Sequence, residues 1–287
     1  MVNLADVFEA LSDEIKTYDP DIRFTALEIG ARPSEEGEPF YKVLDYFPGS
    51  EIIGFEVDED VCRDMNARAR GGTKYFPYAV GAKTERRKFY ETNHPMCGSL
   101  YKPNEKLLRL FNNLEVAYLK NEVQVDTIDL DTFVKENSVG SIDFIKIDVQ
   151  GAELDIFRGG ETTIKDTVFI VSEVEFIHHY ENQPLFGDVS DFLSKNGFIF
   201  HKFSKFGGRS LKPLVLNNDP NFASWHIWSD AAFIRNILDI DKLTSRQILK
   251  LSFLAALYTS IDVTYFCLDA HDKKFSTNFR KVFADTL

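Results

Sequence analysis

Two periods of apolar residues alternate along the chain. Phe144-Ile145-Lys146-Ile147-Asp148-Val149 is rich in β-branched and aromatic types and alternates around Lys146 and Asp148, which predicts a strand. From Gly151 the pattern turns amphipathic, with Leu154 and Phe157 three apart, so a helix should follow; Gly159-Gly160 would supply the left-handed residue that stops it. The same change recurs elsewhere. Leu4, Val7, Phe8, Leu11 and Ile15 predict a first amphipathic helix packed on a sheet. Strands are predicted at 24–31, 51–58, 74–80, 123–130, 168–176 and 198–203, with helices at 41–47, 61–70, 130–136 and 189–195. Segments 91–103 and 206–220 are too polar and broken for regular structure and read as loops. Strand and helix alternating in this way imply a doubly wound α/β sheet, mainly parallel, with right-handed crossovers.

Composition narrows the picture. A chain of 287 residues with 44% hydrophobic content fits one α/β domain with an appendage. The appendage begins after residue 235: Thr244-Ser245-Arg246-Gln247 offers a capping box before the apolar run 248–258. With Phe253, Phe266 and Phe275 this tail reads as helices packed on the domain or on a second copy of the chain, a homo-oligomer. A net charge of −12 disfavours a broad electrostatic grip on nucleic acid or anionic lipid. Cys62, Cys97 and Cys267 lack metal-site or redox spacing and read as free thiols of a reducing compartment. The first sixteen residues carry four acids, unlike a secretory signal, and 249–258 is too short to span a bilayer. A cytoplasmic protein is expected.

Chemistry should gather at the carboxyl ends of the strands, where the loops of an open α/β sheet form a crevice. Asp148 falls there, either for chemistry or to cap the helix that follows. Glu28-Ile29-Gly30-Ala31 ends the first strand in an acid and a glycine, and a glycine lets backbone approach a ligand closely. At the end of the second strand, Glu56, or after it Asp58, could accept both hydroxyls of a ribose. Glu173 and Glu175 share one face of their strand, and with Asp148 and His178 they could converge as a general base or a divalent metal site, although neither spacing selects a metal. His94 is a second candidate base, and Arg209 and Lys212 could receive an anionic group.

The run Ile145-Lys146-Ile147-Asp148-Val149-Gln150-Gly151-Ala152-Glu153 closely resembles the I-K-I-D-V-E-G-A-E segment of the FkbM family of S-adenosylmethionine-dependent methyltransferases, with Gln150 in place of the glutamate. Glu28-Ile29-Gly30-Ala31 resembles the first methyltransferase motif, although Arg32-Pro33 stands where a second glycine is common and 34–39 reads as a longer polar loop. Ser229 to Arg235 resembles the family's closing strand, so the resemblance spans about residues 24 to 235. It implies a class I methyltransferase, Rossmann-like sheet of seven strands with the last antiparallel, a domain over 1–235 and a helical C-terminal extension over 236–287. It also implies that Glu28, Gly30 and Ala31 face the amino-acid part of the cofactor and that adenine lies near Tyr78 to Val80. The loop around Ser99 would close over S-adenosylmethionine.

The main expectation is methyl transfer from S-adenosylmethionine to a hydroxyl of a sugar, glycolipid or natural-product acceptor, with Asp148 as base or orienting group and Glu173 and His178 behind it. A noncatalytic methyltransferase-fold module for binding or assembly is the alternative. A nicotinamide-dependent dehydrogenase is disfavoured, since Gly30-Ala31-Arg32-Pro33 lacks the three-glycine fingerprint.

Overall fold

A computed structural model describes residues 4–32, 37–215 and 225–287. Strands β1 (Thr25–Ile29), β2 (Glu51–Phe55), β3 (Thr73–Phe76), β7 (Phe144–Ile147), β8 (Phe169–Glu175), β9 (Phe198–Gly208) and β10 (His226–Arg235) form one sheet in the order β3-β2-β1-β7-β8-β10-β9. All neighbours are parallel until β10, which pairs antiparallel with both β8 and β9. The seven-stranded arrangement with an antiparallel closing strand is therefore present. The order reverses between β1 and β7, and in a doubly wound sheet that point opens a crevice.

Alternation along the strands builds two cores. Ala26, Ile52, Phe144, Phe169 and Ala232 point to one face, where α1 (Leu4–Tyr18) and the C-terminal helices α8 (Ser245–Leu257), α9 (Ile261–Phe275) and α10 (Phe279–Ala284) cover them. Leu27, Ile53, Ile145, Ile170 and Phe233 point to the other, against α5 (Leu130–Glu136), α6 (Glu153–Arg158) and α7 (Phe186–Lys195). Each wholly buried Leu, Ile or Phe among them contributes about 1.5–3 kcal/mol. The helices after residue 235 thus share the first core: Phe253 of α8 meets the rings of Phe8, Phe24, Tyr46 and Phe47. The capping box of α8 is formed, Gln247 donating its amide to Thr244 Oγ1 at 3.2 Å and accepting from Thr244 N at 3.0 Å. Among the described residues no helix is long and apolar enough to cross a membrane.

Several expectations are corrected. The segment 74–80 is not one strand. Pro77 lacks the N–H a ladder needs, so β3 ends at Phe76 and β4 (Ala79–Val80) begins in a second sheet, ordered β4-β6-β5, with β5 (Glu85–Thr92) and β6 (Leu119–Ile128). Strand β5 escapes the hydrophobic pattern because its first four residues, Glu85, Arg86, Arg87 and Lys88, are charged. Gly159 and Gly160 are not left-handed. Gly159 instead allows close backbone approach, since a Cβ there would stand 2.4 Å from Gly81 O. Strand β9 continues to Gly208, so the expected loop begins after it; its part over 216–220, like the 34–36 part of the loop expected over 34–39, lies outside the described residues.

Candidate active site

The carboxyl ends of β1, β2, β7 and β8, with the amino end of antiparallel β10, floor a cavity of about 720 Å³, roofed by residues of the second sheet including Phe89, Val123 and Val125. That volume lies in the usual range for a small-molecule site. Glu28, Gly30, Ala31, Glu56, Asp58, Val80, Asp148 and Glu173 all line it, so residues scattered over 146 positions of sequence meet in one place.

The turn after β1 and the end of β7 are fitted to each other. Gly30 has φ +82°, and a Cβ on it would stand 1.9 Å from the carbonyl oxygen of Asp148. Only glycine satisfies both demands. Burial lifts the Glu28 carboxyl to about 7, although the Tyr41 hydroxyl donates to its Oε2 at 2.6 Å. Tyr41 also meets the Tyr75 hydroxyl at 2.9 Å. At the end of β2, Glu56 is buried and lines the cavity; its Oε1 accepts from the Asp58 amide at 2.9 Å. Asp58 is committed differently. It caps α3 (Glu59–Arg68), its Oδ1 accepting from the amides of Asp60 and Val61, both at 3.1 Å.

Asp148 follows β7 directly. Burial alone would raise its carboxyl, but Lys146, the Glu173 carboxyl and the Gln150 amide outweigh that and hold it below the usual carboxylate range. Lys146 Nζ lies 3.4 Å from Asp148 Oδ2. Burial opposes the lysine's charge, yet Asp148, Glu38, Asp230 and Glu28 keep it protonated above its ordinary range. Gln150, in the left-handed region at φ +60°, donates from Nε2 to Asp148 Oδ1 at 3.0 Å and to Glu173 Oε2 at 2.6 Å. The neutral amide therefore holds two carboxyl groups side by side where a glutamate would add a third charge. Glu173 is raised well above its ordinary value, first by burial and then by Asp148. The two carboxyl groups are thus shifted in opposite directions, Asp148 toward its ionised form and Glu173 toward its protonated form.

Other candidates fall elsewhere. Ser99 is wholly buried, and its Oγ donates to the Gln150 carbonyl at 2.7 Å; its neighbours Gly98 and Leu100 line the cavity in its stead. The structure does not bring His178 to the site: its side chain is exposed on a separate shallow depression with Asn104, Glu181 and Asn182, because the chain turns away after β8. His94 is exposed and accepts from the Met96 amide. Lys212 pairs with Glu115, Arg209 donates to the Gly208 carbonyl, and neither lines the cavity. Glu175 is buried behind Glu173 and forms, with Glu153, a group of carboxylates whose oxygens lie within 4.8 Å of one another. Glu153 was not singled out from sequence; its Oε1 accepts from Val149 N and Gly151 N, and burial lifts it to about 7. Lys146, Gln150, Trp228 and Asp230 were also missed as site residues, the last two because β10 reads as an ordinary apolar strand with single polar interruptions.

The 2-O-methyltransferase NoeI of Sinorhizobium fredii is 28% identical over 177 residues, covering 58% of this chain and 70% of that protein. Among solved structures, magnesium protoporphyrin IX methyltransferase from Synechocystis PCC 6803 with bound SAM superposes with a TM-score of 0.36 at 9% identity over 80% of each chain. Precorrin-6y C5,15-methyltransferase from Geobacter metallireducens gives 0.36 at 9% identity over 78% of this chain and 87% of that one. Both likenesses are too distant to bear on function. The family model of the methyltransferase FkbM domain matches residues 28–200, more than half of the sequence, and the chain belongs to that family of methyltransferases.

Proposed function

We propose that this protein transfers a methyl group from S-adenosylmethionine to a hydroxyl oxygen of a sugar, glycolipid or natural-product acceptor. The observation that carries the reading is the meeting of the Gly30 turn, the Glu56 carboxyl and the ionised Asp148 in one cavity. The residues present fit the cofactor: Glu56 offers an acceptor for ribose hydroxyls, and the buried, acid-lined turn at Glu28 faces an amino-acid moiety. S-adenosylmethionine supplies an electrophilic methyl on a sulfonium. The chain supplies position and a proton acceptor. Lys146 and Gln150 fix the Asp148 carboxylate at the cavity floor, where it would take the acceptor's hydroxyl proton as an oxygen–carbon bond formed and the methyl–sulfur bond broke, its electron pair leaving with neutral S-adenosylhomocysteine. Support for oxygen as the acceptor atom comes from NoeI, a 2-O-methyltransferase.

Calorimetry with S-adenosylmethionine and with NAD, followed by transfer of labelled methyl onto hydroxylated sugars and lipids, tests the reading. S-adenosylmethionine should bind and NAD should not; binding of neither would leave a noncatalytic module. Asp148→Asn should retain cofactor binding and lose at least about a hundredfold in turnover, the scale of general-base catalysis. Full turnover in that variant at saturating substrates would remove Asp148 from the role.

A further inference from the structure

Sheet order divides the cavity. Gly30, Glu56 and Val80 stand over β1, β2 and β4, whereas Glu173, Trp228 and Asp230 stand over β8 and β10. Strands β1 and β10 are three places apart, about 14 Å at the usual strand spacing. A nucleoside seated on the β1–β2 side leaves the β8–β10 side to the second substrate.

That far wall is built, not incidental. Asp230 pairs across the sheet with Glu173 on one side and Ser204 on the other, and the register slips between Ser229 and Asp230 and again between His226 and Trp228. Bulges of this kind re-aim side chains beside active sites. The Trp228 indole lies flat on Gly207, where a Cβ would meet Cε2 at 1.9 Å and Nε1 at 2.0 Å, so its position requires that glycine. One flank of the ring packs on the small core of Leu108, Phe111 and Ile227, and the residue also lines the cavity. The Asp230 carboxylate accepts no hydrogen bond from the described residues; it feels Lys146 and Lys205 only as nearby charges. Burial, opposed by Lys146, lifts it to about 6, so near neutral pH it is largely an anion, and the residue lines the cavity.

An aromatic face beside an unsatisfied carboxylate recognises a ring that is apolar on its face and rich in hydroxyl donors at its edge. We propose that Trp228 and Asp230 form the acceptor wall, the indole carrying the C–H face of a pyranose while Asp230 accepts from adjacent hydroxyls. The proposal rests on the methyl-transfer reading above and narrows its acceptor to a sugar. Donors from two neighbouring hydroxyls match the two oxygens of one carboxylate, so sugars with a free vicinal pair are favoured over singly hydroxylated ligands.

The chain has two tryptophans, Trp225 and Trp228, and Trp225 does not line the cavity. Trp225→Phe therefore leaves Trp228 as sole tryptophan, excited selectively at the red edge of its absorption, where the 11 tyrosines do not absorb. With S-adenosylhomocysteine saturating, methyl α-L-fucopyranoside, methyl α-L-rhamnopyranoside and methyl α-D-mannopyranoside are titrated in turn. At least one should change the emission saturably, and Asp230→Ala in the same background should weaken it about tenfold or more, the scale of hydrogen bonds to a charged group. Calorimetry with S-adenosylhomocysteine on the Asp230→Ala and Asp230→Asn variants should give affinities within twofold of the parent, showing an intact fold. If S-adenosylhomocysteine binds and no glycoside alters the emission, or if Asp230→Ala binds the glycoside as the parent does, the proposal is overturned. If S-adenosylhomocysteine itself fails to bind, the methyl-transfer reading falls and takes this wall's assignment with it.

Discussion

Glu28 lies near the end of β1, Asp148 follows the neighbouring β7, and their carboxyl groups are shifted in opposite directions. Glu28 pairs in register with Lys146, yet its own nearest contact is the Tyr41 hydroxyl, and burial raises it to about 7 from an ordinary 4.5. The native state therefore binds this proton more tightly than the unfolded chain. Its contribution to stability is fully present below about 4.5 and is lost as pH rises through 7, an effect on the order of 3 kcal/mol. Urea unfolding should show the loss between pH 5 and 8, and Glu28→Gln, which keeps the acceptor for Tyr41, should flatten that part of the profile. Gly30→Ala meets two obstacles at once, a left-handed backbone and the Asp148 carbonyl. It should cost at least about 2–3 kcal/mol in the same assay and abolish measurable S-adenosylmethionine binding. At this scale the sequence was partly legible. Glu28, Gly30, Glu56 and Asp148 could be found because an acid or glycine at a strand's end interrupts an apolar pattern. Asp58 could equally cap a helix, and it does; His178 stood next to the right strand but beyond the turn that removes it. Asp230 carried no signal until the register of β10 was visible.

Elements decide where the roof sits. The second sheet reaches the first domain layer through Asp155 of α6, whose Oδ2 accepts from Arg87 Nη1 and from the Tyr101 hydroxyl, each at 3.1 Å. Without Arg87, Asp155 would keep the Tyr101 hydroxyl and Arg158 at 3.7 Å, so the loss costs on the order of 1 kcal/mol. Arg87→Ala should consequently leave the urea midpoint nearly unchanged and weaken S-adenosylmethionine by no more than about fivefold in calorimetry, through a roof held less firmly. Larger loss of stability would mean that the ribbon belongs to the folding core. Strand β5 was illegible in sequence because its charged residues Glu85, Arg86, Arg87 and Lys88 leave no apolar alternation to read, whereas in its partner β6 Val123 and Val125 alternate with exposed Gln124 and Asp126. The helices were easier. Residues 130–136 and the capping box of α8 stand where their patterns predict, because caps and amphipathic stripes are local signals.

Over the whole molecule, the helices after β10 supply one face of a shared core. Leu249, Phe253 and Leu254 are wholly buried with Ala26, Ile52 and Phe144 of the sheet. Deleting residues 236–287 strips that face and should abolish cooperative thermal unfolding of the remaining chain, as followed by near-ultraviolet circular dichroism; a sharp transition in the truncated protein would show that the sheet folds without them. Sequence order foretold a parallel, doubly wound sheet because alternation of strand and helix permits few other topologies. It did not foretell the second sheet, whose strands come from three separate segments between β3 and β7.

The contact between the Gly30 α-carbon and the Asp148 carbonyl leaves no slack at the joint between the two halves of the crevice. A change of acceptor therefore has to be accommodated elsewhere, for loosening that joint would disturb the electrophile's seat and the base together. Natural divergence or laboratory selection for new acceptors should accumulate along the rim formed by β9 and β10, while the seam beneath it stays as it is.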